Sequence, residues 1–213
     1  MIVRVLLSPR ATLLAAEVGA AIARALAGDA SHEVVSLMET GVRDLGRTLS
    51  AAEIHAVRTA LLGMGPERAA VVGVPRDVMV GYVCVGHSTD TASSEPRAVA
   101  VADHANLTWR SPLWGANDDR LGPRFPSMGG LYAPAVVAER LGGSDEGIDV
   151  VTGVVAGVAD DSSPTPFERE TAFAHGYAAV SSELVPVSIL AAHLGWRVAA
   201  AVMVGDLRKG TEE

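Results

Sequence analysis

Residues Asp103 to Met128 read DHANLTWRSPLWGANDDRLGPRFPSM. From Asn106 onward neither the alternation of a strand nor the three-to-four spacing of a helix can be followed, and the aperiodic stretch reaches Gly130, about 25 residues. A loop of that length inside a compact domain is either functional or a misread element. Its density of Asp, Asn and Arg favours function, a packed surface loop being the plainer alternative. Phe125, held between Arg124 and Pro126, is costly to expose unless another surface covers it. That surface is either a second subunit or the loop's own domain.

Outward from this loop, short β-branched runs alternate with Ala/Leu-rich helical stretches, the pattern of α/β layers. Ile2 to Leu7 reads as a strand and Arg10 to Ala27 as a helix closed by Gly28. A second strand, Glu33 to Met38, leads to a polar connection holding Arg43, Asp44 and Arg47. Ser50 and Glu53 form a capping box that opens a helix to about Leu62, with Gly65-Pro66 ending it. Ala69 to Val74, Val78 to Gly86 and Ala98 to Ala105 read as three strands close together, more β than plain alternation gives, which predicts a mixed, partly barrel-like sheet. Beyond the loop come helix Ala133 to Leu141, strand Ile148 to Val158, a polar loop Ala159 to Pro166, helix Phe167 to His175, strand Ala178 to Ser182, helix Leu184 to Leu194 and strand Arg197 to Val204. No repeat or linker divides the chain, so residues 1–213 read as one domain.

Composition narrows the partners. The 213 residues are 49% hydrophobic and 20% charged, far from a disordered profile, and no apolar run reaches the roughly 18 residues of a membrane span. The N-terminus enters a strand directly, so a soluble, unprocessed, cytoplasmic chain is expected. A net charge of −8 with scattered basic residues argues against nucleic-acid binding. The single cysteine, Cys84, can form neither an internal disulfide nor a thiolate metal site, and no metal or resident cofactor is expected.

The stretch from Asp103 to Met128 resembles the trimeric, class II purine nucleoside phosphorylases and methylthioadenosine phosphorylases, in which it runs D-H-I-N-L, then P-L-x-G-x-N-D-x-R-F-G-x-R-F-P-x-M. Leu121 stands where that family has Phe, and Gly129-Gly130 follows the Met. The resemblance implies a three-layer, phosphorylase-like α/β fold, a nucleoside substrate and a homotrimer or hexamer. It also implies that Phe125 crosses a subunit boundary to close the neighbour's sugar pocket.

The C-terminal third carries the resemblance further. Gly195-Trp196-Arg197-Val198 matches the family's glycine, variable residue, arginine and valine, which puts His193 and Pro186 on a family histidine and proline. Asp206 then falls where the family has Asn in enzymes cleaving 6-oxopurines and Asp in those cleaving 6-aminopurines. An acid there can protonate purine N7 as the glycosidic bond breaks. Glu183 matches the Met-Glu glutamate of the related hexameric phosphorylases and nucleosidases, implying a grip on ribose hydroxyls; a first-turn Glu favoured by the helix dipole is the other reading. Ser182 replaces the methionine expected under the sugar. Phe167 resembles the Pro-x-Phe that stacks on the base, or else staples a helix entry.

The departures lie around phosphate. The family's Gly-Ser-Gly loop is absent from Ile2 to Arg10, and about thirty fewer residues precede the Asp-His motif than in the family. Its Asn-Ala-Ala-Gly stretch is replaced by Gly86-His87-Ser88-Thr89-Asp90. His87 can serve as an acid, base or anion contact, or be a loop residue. Ser8 and Arg10, with Ser88, are the remaining phosphate candidates; an N-cap with a surface arginine is the plainer reading of the first two. Only a few residues follow Asp206 where the family has a further helix, so the 5′ side of the pocket is expected to be open, rebuilt or supplied by another subunit. The expectation is N-glycosidic cleavage of a purine nucleoside or nucleoside-like substrate, a 6-aminopurine by Asp206, at a site too poor in donors for strong phosphate dependence, with phosphate or water as the acceptor. The rival is a repurposed member that binds a nucleoside-like ligand without cleaving it, or a biosynthetic enzyme using the same pocket.

Overall fold

The computed structural model describes residues 2–14, 16–28, 33–90, 97–143, 148–159 and 163–205. Eight strands form one mixed sheet: β1 (Ile2–Leu7), β2 (Glu33–Ser36), β3 (Met79–Val85), β4 (His87–Ser88), β5 (Arg97–Asn106), β6 (Asp149–Gly157), β7 (Tyr177–Ser181) and β8 (Arg197–Val204). Their order is β2-β1-β3-β8-β5-β6-β7-β4. The pairs are parallel except for β5 with β8 and β4 with β7.

That order contains a closure. β4 follows β3 after the single residue Gly86, yet β3 lies between β1 and β8 while β4 pairs with β7 at the opposite end of the order. Two segments one residue apart cannot occupy distant edges of a flat sheet. The strands β3, β8, β5, β6 and β7 therefore curl until β7 meets the continuation of β3, which gives the partly barrel-like sheet expected from the sequence. Gly86 is required at the junction: a Cβ there would lie 2.5 Å from the Val180 carbonyl oxygen and 2.8 Å from Val202 Cγ1.

Helices cover both faces. α1 (Pro9–Leu14), α2 (Ala16–Ala27) and α5 (Pro134–Gly142) lie on one; α3 (Ala51–Leu62), α4 (Pro66–Val72) and α7 (Leu184–His193) on the other. The period-two alternation of β8 shows how one strand serves both layers. Val198, Ala200, Val202 and Val204 pack towards α3 and α7, and Ala199, Ala201 and Met203 towards α2 and α5. Every described residue of α7 but Pro186 is buried, consistent with its apolar sequence all round.

Two expectations need correction. Ala69 to Val74 is no strand: Pro66 opens α4 at its first turn, and Val71 and Val72 face outward. The preceding helix ends at Gly63, in the left-handed region at φ 70°, before Gly65-Pro66 is reached. The Ser50–Glu53 capping box is formed as expected. The expected helix Arg10 to Ala27 is described as α1 and α2, with residue 15 between them outside the described residues. Among the described residues no helix is long and apolar enough to cross a membrane.

Substituting Gly86→Ala should cost about 1–3 kcal/mol, because the obstructing atom is backbone and cannot rotate away. Urea denaturation of the variant against the wild type measures this.

Candidate active site

Three chain segments converge where the barrel closes: the end of β1, the end of β3 and the β7–α7 junction. At their meeting point lies Glu183, 1% exposed. Ser8 Oγ donates to its Oε2 at 2.6 Å, Val85 N–H to the same oxygen at 3.2 Å, and Arg10 N–H to Oε1 at 3.0 Å. Its backbone is fixed as well: Tyr82 Oη donates to its carbonyl at 2.9 Å, and its N–H donates to Ser181 Oγ at 3.3 Å. Ser181 Oγ in turn donates to Val85 O at 2.8 Å. Ser8 Oγ also accepts from Ala11 N–H, so it caps the turn while donating to the carboxylate.

Burial pushes the Glu183 carboxyl above the usual carboxylate range, while the bonds from Ser8, Arg10 and Val85 and the Arg10 guanidinium pull it down. Burial raises the neighbouring Cys84 thiol and Tyr82 phenol, and the Glu183 charge raises them further. The expected phosphate pair, Ser8 and Arg10, is thus brought together with Glu183, and the anion they hold is internal. A ribose grip by Glu183 requires the carboxylate to release one of these donors or to accept on its remaining lone pair.

The other candidates are distributed around this centre. Ser182 is buried beneath the connection from Asp44 to Arg47; a Cβ on Gly46 would lie 3.1 Å from Ser182 Cβ. Arg110 donates to Gly46 O at 3.1 Å, tying that connection to the long loop. His87 pairs with Val180 across β4–β7. Ser88 turns away from the Glu183 cluster: its hydroxyl donates to Asp90 O and its carbonyl accepts from Arg169 Nε at 3.1 Å. Asp206 lies outside the described residues, one position beyond Gly205 at the exit of β8.

Phe167 stands in the first turn of α6 (Pro166–Ala174), 76% exposed, on the rim of a cavity of about 560 Å³. Leu107, Val158, Tyr177 and Val180 line its apolar wall, with Glu168 and His175 as polar groups. Drug-sized sites range over roughly 300–1,000 Å³. Ser181, Ser182 and Glu183 do not line the cavity; the two places are linked through the chain, since Val180 precedes Ser181 and Val158 N–H donates to Ser181 O at 3.1 Å. Thr165 and Glu168 form a capping box that sets the turn carrying Phe167. A hollow beneath the long loop holds only about 70 Å³, too little for a nucleoside.

The loop from Leu107 to Gly130 is built from its own polar side chains. Asn106 Oδ1 accepts from Thr108, Asp118 holds Arg120 through two bonds of 2.8 Å, and Asn117 Nδ2 donates to Gly122 O. His104 bonds Tyr132 Oη at 2.7 Å, and the buried His193 reaches Asn117 Oδ1 through Nε2 at 3.1 Å. Desolvation lowers the proton affinity of both histidines. Trp109, Trp114 and Phe125 are left facing outward, Phe125 86% exposed.

Sequence reasoning missed Val85 N–H and Tyr82, because neither a backbone donor nor a partner 101 residues away leaves a local trace. The Thr165–Glu168 box did leave one, in its Thr-x-x-Glu spacing.

A mixed, partly closed sheet flanked by helices, with a polar cluster at its closure and an apolar cavity, defines an α/β domain. A model of the phosphorylase superfamily matches residues 23–213, and the chain belongs to that superfamily. Purine nucleoside phosphorylase 1 of Bacillus subtilis (strain 168) is 30% identical over 144 residues, 65% of this chain and 53% of that protein. The Geobacillus stearothermophilus protein of the same name is 31% identical over 112 residues, 52% of this chain and 40% of that protein. The chain thus spans about half the length of the relatives it matches. Purine nucleoside phosphorylase of Schistosoma mansoni, solved with acetate, shares the fold at a TM-score of 0.51 and 21% identity, over 62% of this chain and 52% of that one. The same protein with guanosine gives 0.51 at 23% identity, over 59% and 51%.

A raised carboxyl has a defined signature. Carbon-13 titration should put the Glu183 midpoint above 4.5, and Ser8→Ala should raise it further by removing one donor to the charged form. The sign for stability follows: this group's contribution is fully present below about pH 4.5 and declines as pH rises through the folded midpoint.

Proposed function

We propose that the protein cleaves the N-glycosidic bond of a purine nucleoside or nucleoside-like substrate, as a relative of the trimeric class II phosphorylases. The observation that carries this reading is the apolar cavity with Phe167 on its rim, whose wall residue Val180 leads along the chain into the polar cluster of Ser181 to Glu183. A nucleoside needs both environments, a flat apolar slot for the base and hydroxyl-binding groups for the sugar.

In the proposed reaction the base stacks on Phe167 and the sugar lies towards Ser182, Glu183 and His87. As the bond from C1′ to N9 breaks, its electron pair passes to the base, and Asp206 supplies a proton at N7. The acceptor bonds to C1′: water releases a proton that restores the Asp206 acid by way of solvent, whereas phosphate bonds through an anionic oxygen and Asp206 regains its proton from solvent. With one Asp206 oxygen carrying the proton towards N7, the other, unprotonated oxygen accepts from an exocyclic amine and repels an exocyclic carbonyl, a difference of roughly 1–3 kcal/mol for an unpaired group, so a 6-aminopurine is preferred.

Incubating the protein with adenosine, methylthioadenosine and inosine, with and without phosphate, and following free base by mass spectrometry tests this. Base release from the 6-aminopurines first is the expected result; equal use of inosine removes the basis for the role of Asp206. Phe167→Ala should raise KM roughly 5- to 100-fold with kcat little changed, the loss of about 1–3 kcal/mol for a stacked base. If adenosine binds and no base is ever released, the repurposed, ligand-binding reading stands instead.

The outward-facing Trp109, Trp114 and Phe125 on one loop support a homotrimer in which Phe125 closes a neighbouring site. Light scattering at micromolar concentration should give a trimer or a multiple of it. Phe125→Ala should raise KM, and a wild-type monomer with full activity would sink the assignment.

A further inference from the structure

We propose that Ser8 Oγ, Arg10 N–H and Val85 N–H form an oxyanion site that the chain keeps closed with its own Glu183 carboxylate, so that free phosphate enters only when Glu183 is removed. Three donors from two separate segments, the end of β1 and the end of β3, point at the two oxygens of one buried group at 2.6, 3.0 and 3.2 Å. Hydroxyl and backbone donors converging in this way are the equipment for binding a carboxylate or a phosphate oxygen alike. Ser8 is fully buried and Glu183 is 1% exposed, so the cradle has no vacant face for a second anion.

Charge argues the same way. A phosphate dianion beside an ionised Glu183 would meet repulsion at short range in a poorly solvated site. The Glu183 carboxylate is held at the β7–α7 junction by the bonds of its own backbone to Tyr82 and Ser181. It competes as an intramolecular ligand, with an effective concentration that free phosphate does not match. Once it is cut away, two backbone N–H groups and a hydroxyl are left buried, and the Arg10 guanidinium, close enough to favour the ionised Glu183, loses the charge it offsets. That vacancy is shaped and charged for an oxyanion. The cradle is built from β1, β3 and Glu183 alone, whatever bond the cavity serves.

The test uses inorganic phosphate, against chloride at matched ionic strength, on the full chain. Isothermal calorimetry and phosphorus-31 NMR should find no saturable binding to the wild type at millimolar phosphate. Glu183→Ala should bind it saturably, with Tm raised by roughly 5 °C at a hundred times Kd. Adding Ser8→Ala should weaken that binding about tenfold or more, the value of one hydrogen bond to a charged acceptor. Saturable binding to the wild type that Ser8→Ala abolishes overturns the proposal, as does a folded Glu183→Ala protein that binds none. If Glu183→Ala does not fold in chloride, phosphate in the refolding buffer should restore it, and failure to do so also overturns the proposal. Each outcome is independent of nucleoside cleavage, which is measured separately.

Discussion

One buried carboxylate ties together segments that the chain order keeps far apart. Glu183 reaches Ser8 across 175 positions and Val85 across 98, and its backbone reaches Tyr82 across 101. Burying a charge is unfavourable by several kcal/mol unless donors replace water, and here three donors do so at two oxygens. Burial pushes the carboxyl up while these donors and the Arg10 guanidinium pull it down. Removing any one donor would leave the charge still buried, so β1, β3 and the β7–α7 junction are held in register by mutual need.

The barrel closure depends on the same place. β3 must end where Val85 N–H can face Glu183, and the next residue must then pass between β7 and β8 with no side chain. Ser181 contributes from the opposite strand by donating to Val85 O, while Gly86 N–H donates to Met203 O at 2.9 Å. The backbone N–H groups of Val85 and Gly86 are therefore both satisfied at the closure, one by Glu183 and the other by Met203.

Much of this was legible in the sequence, and the reasons differ by element. β8 and α7 carry apolar patterns so regular that their bounds can be read directly, and the Ser50 and Thr165 boxes mark their helix starts by spacing. Val71 and Val72 misled because β-branched residues suggest a strand, whereas Pro66 and the alanines decide for a helix when no sheet edge is offered. The most recognisable residues of the long loop bond within it and hold its shape: Asn106 to Thr108, Asn117 to Gly122 and Asp118 to Arg120. Their pattern marks the family without marking the chemistry. Ser8 and Arg10 were readable as an anion site, but that the anion is Glu183 was not, because pairing across 175 positions leaves no periodic trace.

The arrangement of β7 bears on how one strand can serve both halves of a nucleoside. Val180 lines the apolar cavity, while Ser181 to Glu183 turn into the polar closure. Within four consecutive residues the chain passes from an apolar cavity wall to a polar cluster. A glycosidic bond spanning that boundary would have its leaving base in low dielectric and its sugar near a fixed negative charge. Such a charge favours the positive character that develops at C1′ as the bond stretches, and it does so through space, without Glu183 leaving its donors. If the proposed cleavage takes place there, the carboxylate that holds the fold closed would stabilise a developing oxocarbenium ion from the same position. The two roles do not compete for its lone pairs.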